Sequence, residues 1–112
     1  MIFAASTDEM TLFVFATAEM AASYCEGIDV EEGGWLFWDD AGMALRAEFI
    51  TPNHRDGVRV GNGIYRLIPS ASMPSLAKVI MELRNIDTNP YYPTLAAVRA
   101  HLAAGSCPLR DG

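Results

Sequence analysis

One stretch of the chain, residues 35–49, constrains the fold most because it predicts a β-hairpin. Its two apolar-rich arms flank the sequence Asp39-Asp40-Ala41-Gly42. Aspartate favours the start of a type I turn, and Gly42 tolerates the positive φ that the closing position requires. The second arm alternates apolar and polar residues, as a strand with one buried face does. The hairpin therefore predicts a sheet with antiparallel pairing.

The first arm of this hairpin contains both tryptophans, Trp35 and Trp38. Successive strand residues point to opposite faces, and this arm is apolar on both of them. At least one tryptophan is therefore expected to be covered by another element or to be partly exposed. An exposed aromatic residue beside acids is a common feature of protein interfaces. Any binding function of the hairpin is expected in this arm.

The rest of the chain alternates between strand-like and helix-like segments. Short apolar or alternating runs predict strands at residues 10–16, 28–31, 58–60 and 64–68. Capping residues and helical spacing predict helices at residues 18–26, 74–84 and 95–104, with Thr17 and Thr94 as N-caps. In the first helix, Met20 and Tyr24 fall on one face. The sequence Gly61-Asn62-Gly63 favours a tight turn over the alternative of a bulge within one longer strand.

This order of elements predicts a single α+β domain over residues 1–112, with loose termini at residues 1–9 and 106–112. The expected architecture has two layers. A mainly antiparallel sheet of about four to six strands is covered on one face by the early helix and the two C-terminal helices.

Charge is distributed unevenly along the chain. Residues 1–45 contain nine acidic residues and no lysine or arginine, whereas residues 46–112 hold all eight basic residues and five acids. The acidic half would repel phosphate groups, which argues against nucleic-acid binding there. It favours a basic protein partner, whose association rate complementary charge would raise. The alternative is that the acids only keep the surface soluble.

Several other classes of function lack support in the sequence. No apolar run approaches the ~20 residues of a membrane-spanning helix, and the first residues lack the pattern of a secretion signal, so a cytoplasmic protein is expected. Cys25 and Cys107 are expected to be free thiols in that compartment, and with His54 and His101 they lack zinc-site spacing. Neither a metal nor a cofactor is expected.

No catalytic signature stands out among the candidate reactive residues. Cys25, His54 and His101 are not embedded in any recognisable motif, and adjacent acids on a strand point to opposite faces. Gly61-Asn62-Gly63 is not a phosphate-binding loop, because no Lys-Ser/Thr follows it. The expectation is a protein without catalytic activity.

Three stretches carry a resemblance to a known group of proteins. They are Tyr-Cys-Glu-Gly-Ile-Asp-Val-Glu-Glu-Gly-Gly-Trp at 24–35, the turn Phe-Trp-Asp-Asp-Ala-Gly at 37–42, and Ile-Tyr-Arg-Leu at 64–67. Over about residues 10–70 the chain resembles small acidic bacterial immunity proteins that neutralise secreted toxins. The resemblance implies a non-catalytic inhibitor that binds a cognate toxin domain and covers its active site. The toxin would act in the cytosol and have a basic cleft.

The resulting hypothesis is an acidic, aromatic-bearing binding face. Its expected contacts are five acids, with one of the two tryptophans as anchor: Asp29, Glu31, Glu32, Asp39 and Asp40, with Trp35 or Trp38. Two alternatives stay open. One is a regulatory or adaptor module that self-associates through a sheet edge or an exposed aromatic residue, and the other is an enzyme that uses Cys25 or a histidine. The sequence leaves the oligomeric state undetermined.

Overall fold

The computed structural model describes residues 1–56 and 59–105, except for the side chains of residues 54–60 and 105. Its helices and strands follow one another along the chain as β1 Ile2–Ser6, β2 Thr11–Phe15, α1 Ala18–Tyr24, α2 Gly27–Glu31, β3 Trp35–Trp38, β4 Ala44–Thr51, β5 His54–Asp56, β6 Arg59–Gly61, β7 Ile64–Pro69, α3 Leu76–Val79, a 3₁₀ helix Ile80–Glu82, β8 Asn85–Ile86 and α4 Leu95–Gly105.

Six strands form an open sheet in the order β7-β4-β3-β1-β2-β8. All neighbouring strands are antiparallel except β8, which runs parallel to β2. The strands β5 and β6 form a separate antiparallel ribbon. The predicted α+β class and the mainly antiparallel sheet are confirmed.

The predicted loose arm at residues 1–9 is wrong, because β1 lies between β2 and β3 inside the sheet. Phe3 and Ala4 are both 0% exposed. A strand buried on both faces has a continuous apolar run and not an alternating pattern, and residues 2–5 are such a run. The predicted loose tail at residues 106–112 lies outside the described residues.

The two faces of the sheet have separate hydrophobic cores. Phe3 and Ala5 of β1 pack with residues of α3 and α4, whereas Ile2 and Ala4 pack with α1. The structure therefore divides the helices between both faces, where one covered face was predicted. The physical reason is that β1 and β3 are apolar on both faces, so both faces must be buried by helices.

The hairpin of β3 and β4 is confirmed, with Phe37 opposite Leu45. Gly42 takes a φ of 83°, as its closing position requires. The Asp39 carboxylate accepts hydrogen bonds from the backbone N–H groups of Ala41, at 3.0 Å, and Met43, at 2.9 Å. The turn is thus built by the residue types that predicted it.

Two predictions next to this hairpin are wrong. Residues 28–31, predicted as a strand, belong to α2, which begins at Gly27. The Asn62 side chain accepts a hydrogen bond from the Ile28 backbone N–H at 3.0 Å. The tight turn predicted at residues 61–63 does not join paired strands, because β6 pairs with β5. The Asn62 side chain instead hydrogen-bonds a backbone N–H group at the start of α2, which is a contact between segments distant in the sequence.

The last helix agrees with its prediction, whereas the single helix predicted at residues 74–84 is a short α-helix followed by a 3₁₀ helix. Leu76, Ile80 and Leu83 are buried at the predicted helical spacing, although the last turn is 3₁₀. In α4, Val98 is fully buried, and the Thr94 hydroxyl caps the helix by accepting from the Ala97 N–H at 3.1 Å. Among the helices of the described ranges, none combines the length and apolar character needed to cross a membrane.

Candidate functional site

The acids predicted to bind a partner fall into two groups at the two ends of β3. Asp29, Glu31 and Glu32 come from α2 and its C-terminal cap, just before Trp35, whereas Asp39 and Asp40 follow Trp38 in the turn. A four-residue strand separates the two groups by about 10 Å along its axis. The predicted residues thus form two surfaces.

The turn end of β3 is a structural junction. Trp38 is 1% exposed, and its indole N–H donates to the carbonyl oxygen of Pro74 at 2.9 Å. The His101 Nε2 lies 2.7 Å from the Asp40 carbonyl oxygen. Trp38 as a partner contact is therefore wrong, because it reaches no solvent and holds α3 to the sheet. The Asp39 carboxylate is already engaged in the turn.

The other end of β3 holds exposed acids around a surface depression. Asp29, Glu31 and Glu32 are exposed. The depression has a volume of about 370 Å³, and its lining is Thr7, Asp8, Asp29, Glu32, Gly33 and Gly34. We call this surface the acidic depression. The Gly34 N–H donates to the Asp29 carbonyl oxygen at 2.8 Å, which fixes the end of α2 against the start of β3.

The position of α2 depends on Asn53, in the loop that follows β4. Its side-chain amide donates to the Gly27 carbonyl oxygen at 3.1 Å and to the Glu31 carboxylate at 2.9 Å. Its side-chain oxygen accepts from the Gly63 N–H at 2.6 Å. One asparagine therefore joins both ends of α2 to the strand connections beside it, so the acids have a defined place.

A cluster of four aromatic rings lies next to the acidic depression. Trp35 packs on Phe13 with ring centroids 5.2 Å apart, and Tyr24 lies 6.0 Å from Trp35 and 5.6 Å from Phe15. We call Phe13, Phe15, Tyr24 and Trp35 the ring cluster. Trp35 directly follows Gly34, the last residue that lines the depression, so the two features are neighbours along the chain.

The ring cluster forms because small residues occupy the strand between its members. Ala4 of β1 lies opposite Phe13 of β2, and Ser6 lies opposite Trp35 of β3. Neighbouring strands are only about 4.8 Å apart, so rings from β2 and β3 meet above the small side chains of β1. The contact needs a sheet order that the sequence does not reveal.

The large apolar side chains of α1 are exposed, and small side chains pack on the core. Tyr24 is 56% exposed and Met20 is 53% exposed, whereas Ala21 and Cys25 face the core. The small residues are buried because α1 packs close to the sheet. Phe13, Phe15 and Tyr24 are not among the site residues predicted from the sequence. The signal for the two phenylalanines was their spacing of two on one predicted strand.

Cys25 is poorly suited to be a nucleophile. Its side chain is 0% exposed, and burial, followed by the negative charge of Asp29, raises the pKa of the Cys25 thiol from 9.0 to about 12. The Tyr65 hydroxyl donates to the Cys25 carbonyl oxygen at 2.5 Å. The thiolate is the reactive form, and here it is strongly disfavoured. Cys25 thus packs as a small side chain in the core under α1.

We predict slow labelling of Cys25 in the folded protein. With a pKa of about 12, only about one thiol in ten thousand is a thiolate near pH 8. In a Cys107→Ser background, a chromogenic disulfide reagent should label Cys25 at least about 100-fold more slowly in buffer than in denaturant. Labelling at equal rates in both conditions would show that Cys25 is accessible and would restore it as a candidate nucleophile.

Other catalytic or metal-binding arrangements are not apparent in the part of the chain described. Among these residues no three histidine, cysteine or carboxylate side chains are grouped as a metal site. The His54 side chain lies outside the description, and His101 contacts the Asp40 carbonyl. Comparisons of the chain with protein-family models, curated proteins and solved structures found no match.

Proposed function

We propose that the protein is a non-catalytic inhibitor of the immunity type, which binds a basic bacterial toxin domain through the acidic depression and the ring cluster. The toxin acts in the same cytosolic compartment, and the bound inhibitor covers its active site. This proposal keeps Asp29, Glu31, Glu32 and Trp35 from the predicted contacts. It moves Asp39 and Asp40 away from the interface.

One arrangement supports this proposal: partly exposed aromatic rings and exposed acids lie on neighbouring segments of the chain. Interfaces are enriched in tyrosine and tryptophan, and these residues dominate binding energy when a partner excludes water from them. The acids around the depression would attract a basic partner and raise the association rate. Rings and acids together thus supply an anchor and a charge preference on one surface.

The alternative of self-association through a sheet edge has less support. The strand β7 forms one edge of the sheet. It contains Pro69, which has no backbone N–H to donate, and Arg66, which is exposed. Natural proteins use proline and charged residues on edge strands to prevent pairing with another chain. This edge therefore has the features of a protected edge.

The proposed function predicts a basic partner whose capture depends on Asp29. The wild-type protein, used as bait in its native cells, should retain a protein of net positive charge and inhibit the activity of that protein. Asp29→Lys should slow association by about tenfold at low salt, because it replaces attraction with repulsion at the interface. Stopped-flow or surface-based kinetics at several salt concentrations measures this effect.

The matched control is Glu82→Lys, which makes the same charge change at an exposed position of the 3₁₀ helix on the opposite sheet face. Its association rate should stay close to that of the wild type. Equal rates for both variants and the wild type would remove the acidic depression from the proposal. A captured partner whose activity the protein does not inhibit would contradict the inhibitor function itself.

A further inference from the structure

The ring cluster indicates which side chain of a partner the interface is built to hold. We infer that it binds an arginine of the partner, with the guanidinium lying on the rings and the acidic depression supplying the opposite charge. This inference rests on the proposed function and deepens it, because it names the chemistry of the partner at one point of the interface.

The geometry of the rings supports a planar, cationic occupant. Tyr24 and Trp35 are nearly perpendicular, with an interplanar angle of 80°, and Tyr24 lies tilted at 5.3 Å from Phe13. Tyr24 is 56% exposed, so part of its ring surface is open to a partner. Aromatic faces carry negative electrostatic potential and attract cations placed over them. Arginine is planar, stacks on rings and keeps its charge at every physiological pH.

The charges near the rings favour a cation over an apolar side chain. Gly34 joins Trp35 to the depression that Asp8, Asp29 and Glu32 line. The first 45 residues contain no lysine, arginine or histidine, so the charged side chains of this part of the chain are all acidic. Carboxylates bind guanidinium groups through paired hydrogen bonds, which lysine cannot make. An arginine side chain can therefore both stack on a ring and pair with a carboxylate.

The test uses a capped hexa-arginine peptide as the probe and the two indole N–H signals of the protein as reporters. In proton–nitrogen correlation spectra, the Trp35 signal should shift on titration, whereas the signal of buried Trp38 should not. Trp35→Phe assigns the two signals. A capped hexalysine peptide should bind several-fold more weakly, and a hexaglutamate peptide should produce no shift.

Two pairs of variants separate the arginine site from general charge attraction. Tyr24→Leu should weaken hexa-arginine binding by about fivefold, whereas Tyr91→Leu, at an exposed tyrosine outside the cluster, should not. Asp29→Asn with Glu32→Gln should weaken it more than Glu48→Gln with Glu82→Gln, which removes two charges on the opposite sheet face. These results together would support the inference.

Equal binding by Tyr24→Leu and Tyr91→Leu, or an unshifted Trp35 signal, would overturn the arginine site. The same is true if both charge-neutralised pairs lose binding equally. The proposed function fails by a different result, which is a captured partner whose activity the protein does not inhibit. If Asp29→Lys no longer binds the partner but Tyr24→Leu binds it normally, the inhibitor function is supported and the arginine site is rejected.

Discussion

Replacement of Trp38 by alanine is expected to lower the free energy of unfolding by about 3–5 kcal/mol. The side chain is 1% exposed and belongs to the core between the sheet and the C-terminal helices. Its removal leaves a cavity lined by side chains that cannot fully collapse into it. It also removes the indole donor from the Pro74 carbonyl oxygen, which lies just before α3. Denaturant unfolding followed by circular dichroism measures the loss.

Trp35→Ala is the matched control for this prediction, because it deletes the same side chain from the same strand. Trp35 is only partly buried, so a smaller loss of roughly 1–2 kcal/mol is expected. Under the proposed function, the loss in the free energy of partner binding caused by Trp35→Ala should exceed the loss in the free energy of unfolding. Equal destabilisation by the two alanine variants would contradict the assignment of Trp38 to the core and Trp35 to the surface.

The second large effect is expected from Gly63→Ala. A Cβ atom at this position would lie 2.7 Å from the Pro52 carbonyl carbon, and backbone atoms cannot move aside as a flexible side chain does. The substitution would separate Gly63 from Asn53, whose side chain positions α2. We expect a loss of at least about 2–3 kcal/mol in the free energy of unfolding, together with faster amide exchange in α2.

Gly33→Ala provides the control, because it tests backbone conformation without a steric contact. Gly33 has a φ of +85°, and a Cβ atom there would meet nothing within 4 Å. Only the conformational strain of a left-handed alanine applies, about 1 kcal/mol. If Gly33→Ala costs as much as Gly63→Ala, the close approach of Gly63 to the loop after β4 does not occur in solution.

Local signals in the sequence predicted a large part of the fold. The turn of the β3–β4 hairpin followed from Asp39 and Gly42, since their side-chain and backbone preferences act within a few residues. The caps Thr17 and Thr94 and the apolar stripes of the C-terminal helices were predictable for the same reason. These features depend on neighbours along the chain, and the structure contains them.

Features that depend on distant residues were not predictable in this way. Residues 28–31 alternate between apolar and acidic side chains, as a strand would. In the structure this segment is helical, and Asn53 and Asn62 hold it in place through hydrogen bonds to its backbone and to one of its side chains. The strand β1 lacked an alternating pattern because both of its faces are covered. Of the predicted site, Asp29 and Glu32 line one depression, and the ring partners of Trp35 come from β2 and α1.

The sequence alone predicted the β3–β4 hairpin and the α+β class, and it contains an acidic first half. It also placed both tryptophans on opposite faces of one strand, because side-chain direction alternates along every strand. Which of the two tryptophans is buried depends on packing that local sequence patterns do not reveal. The helices α3 and α4 pack on the face of Trp38, whereas Trp35 shares the other face with α1 and stays partly open. Burial depends on what packs above a face, and that is decided by residues far away in the chain.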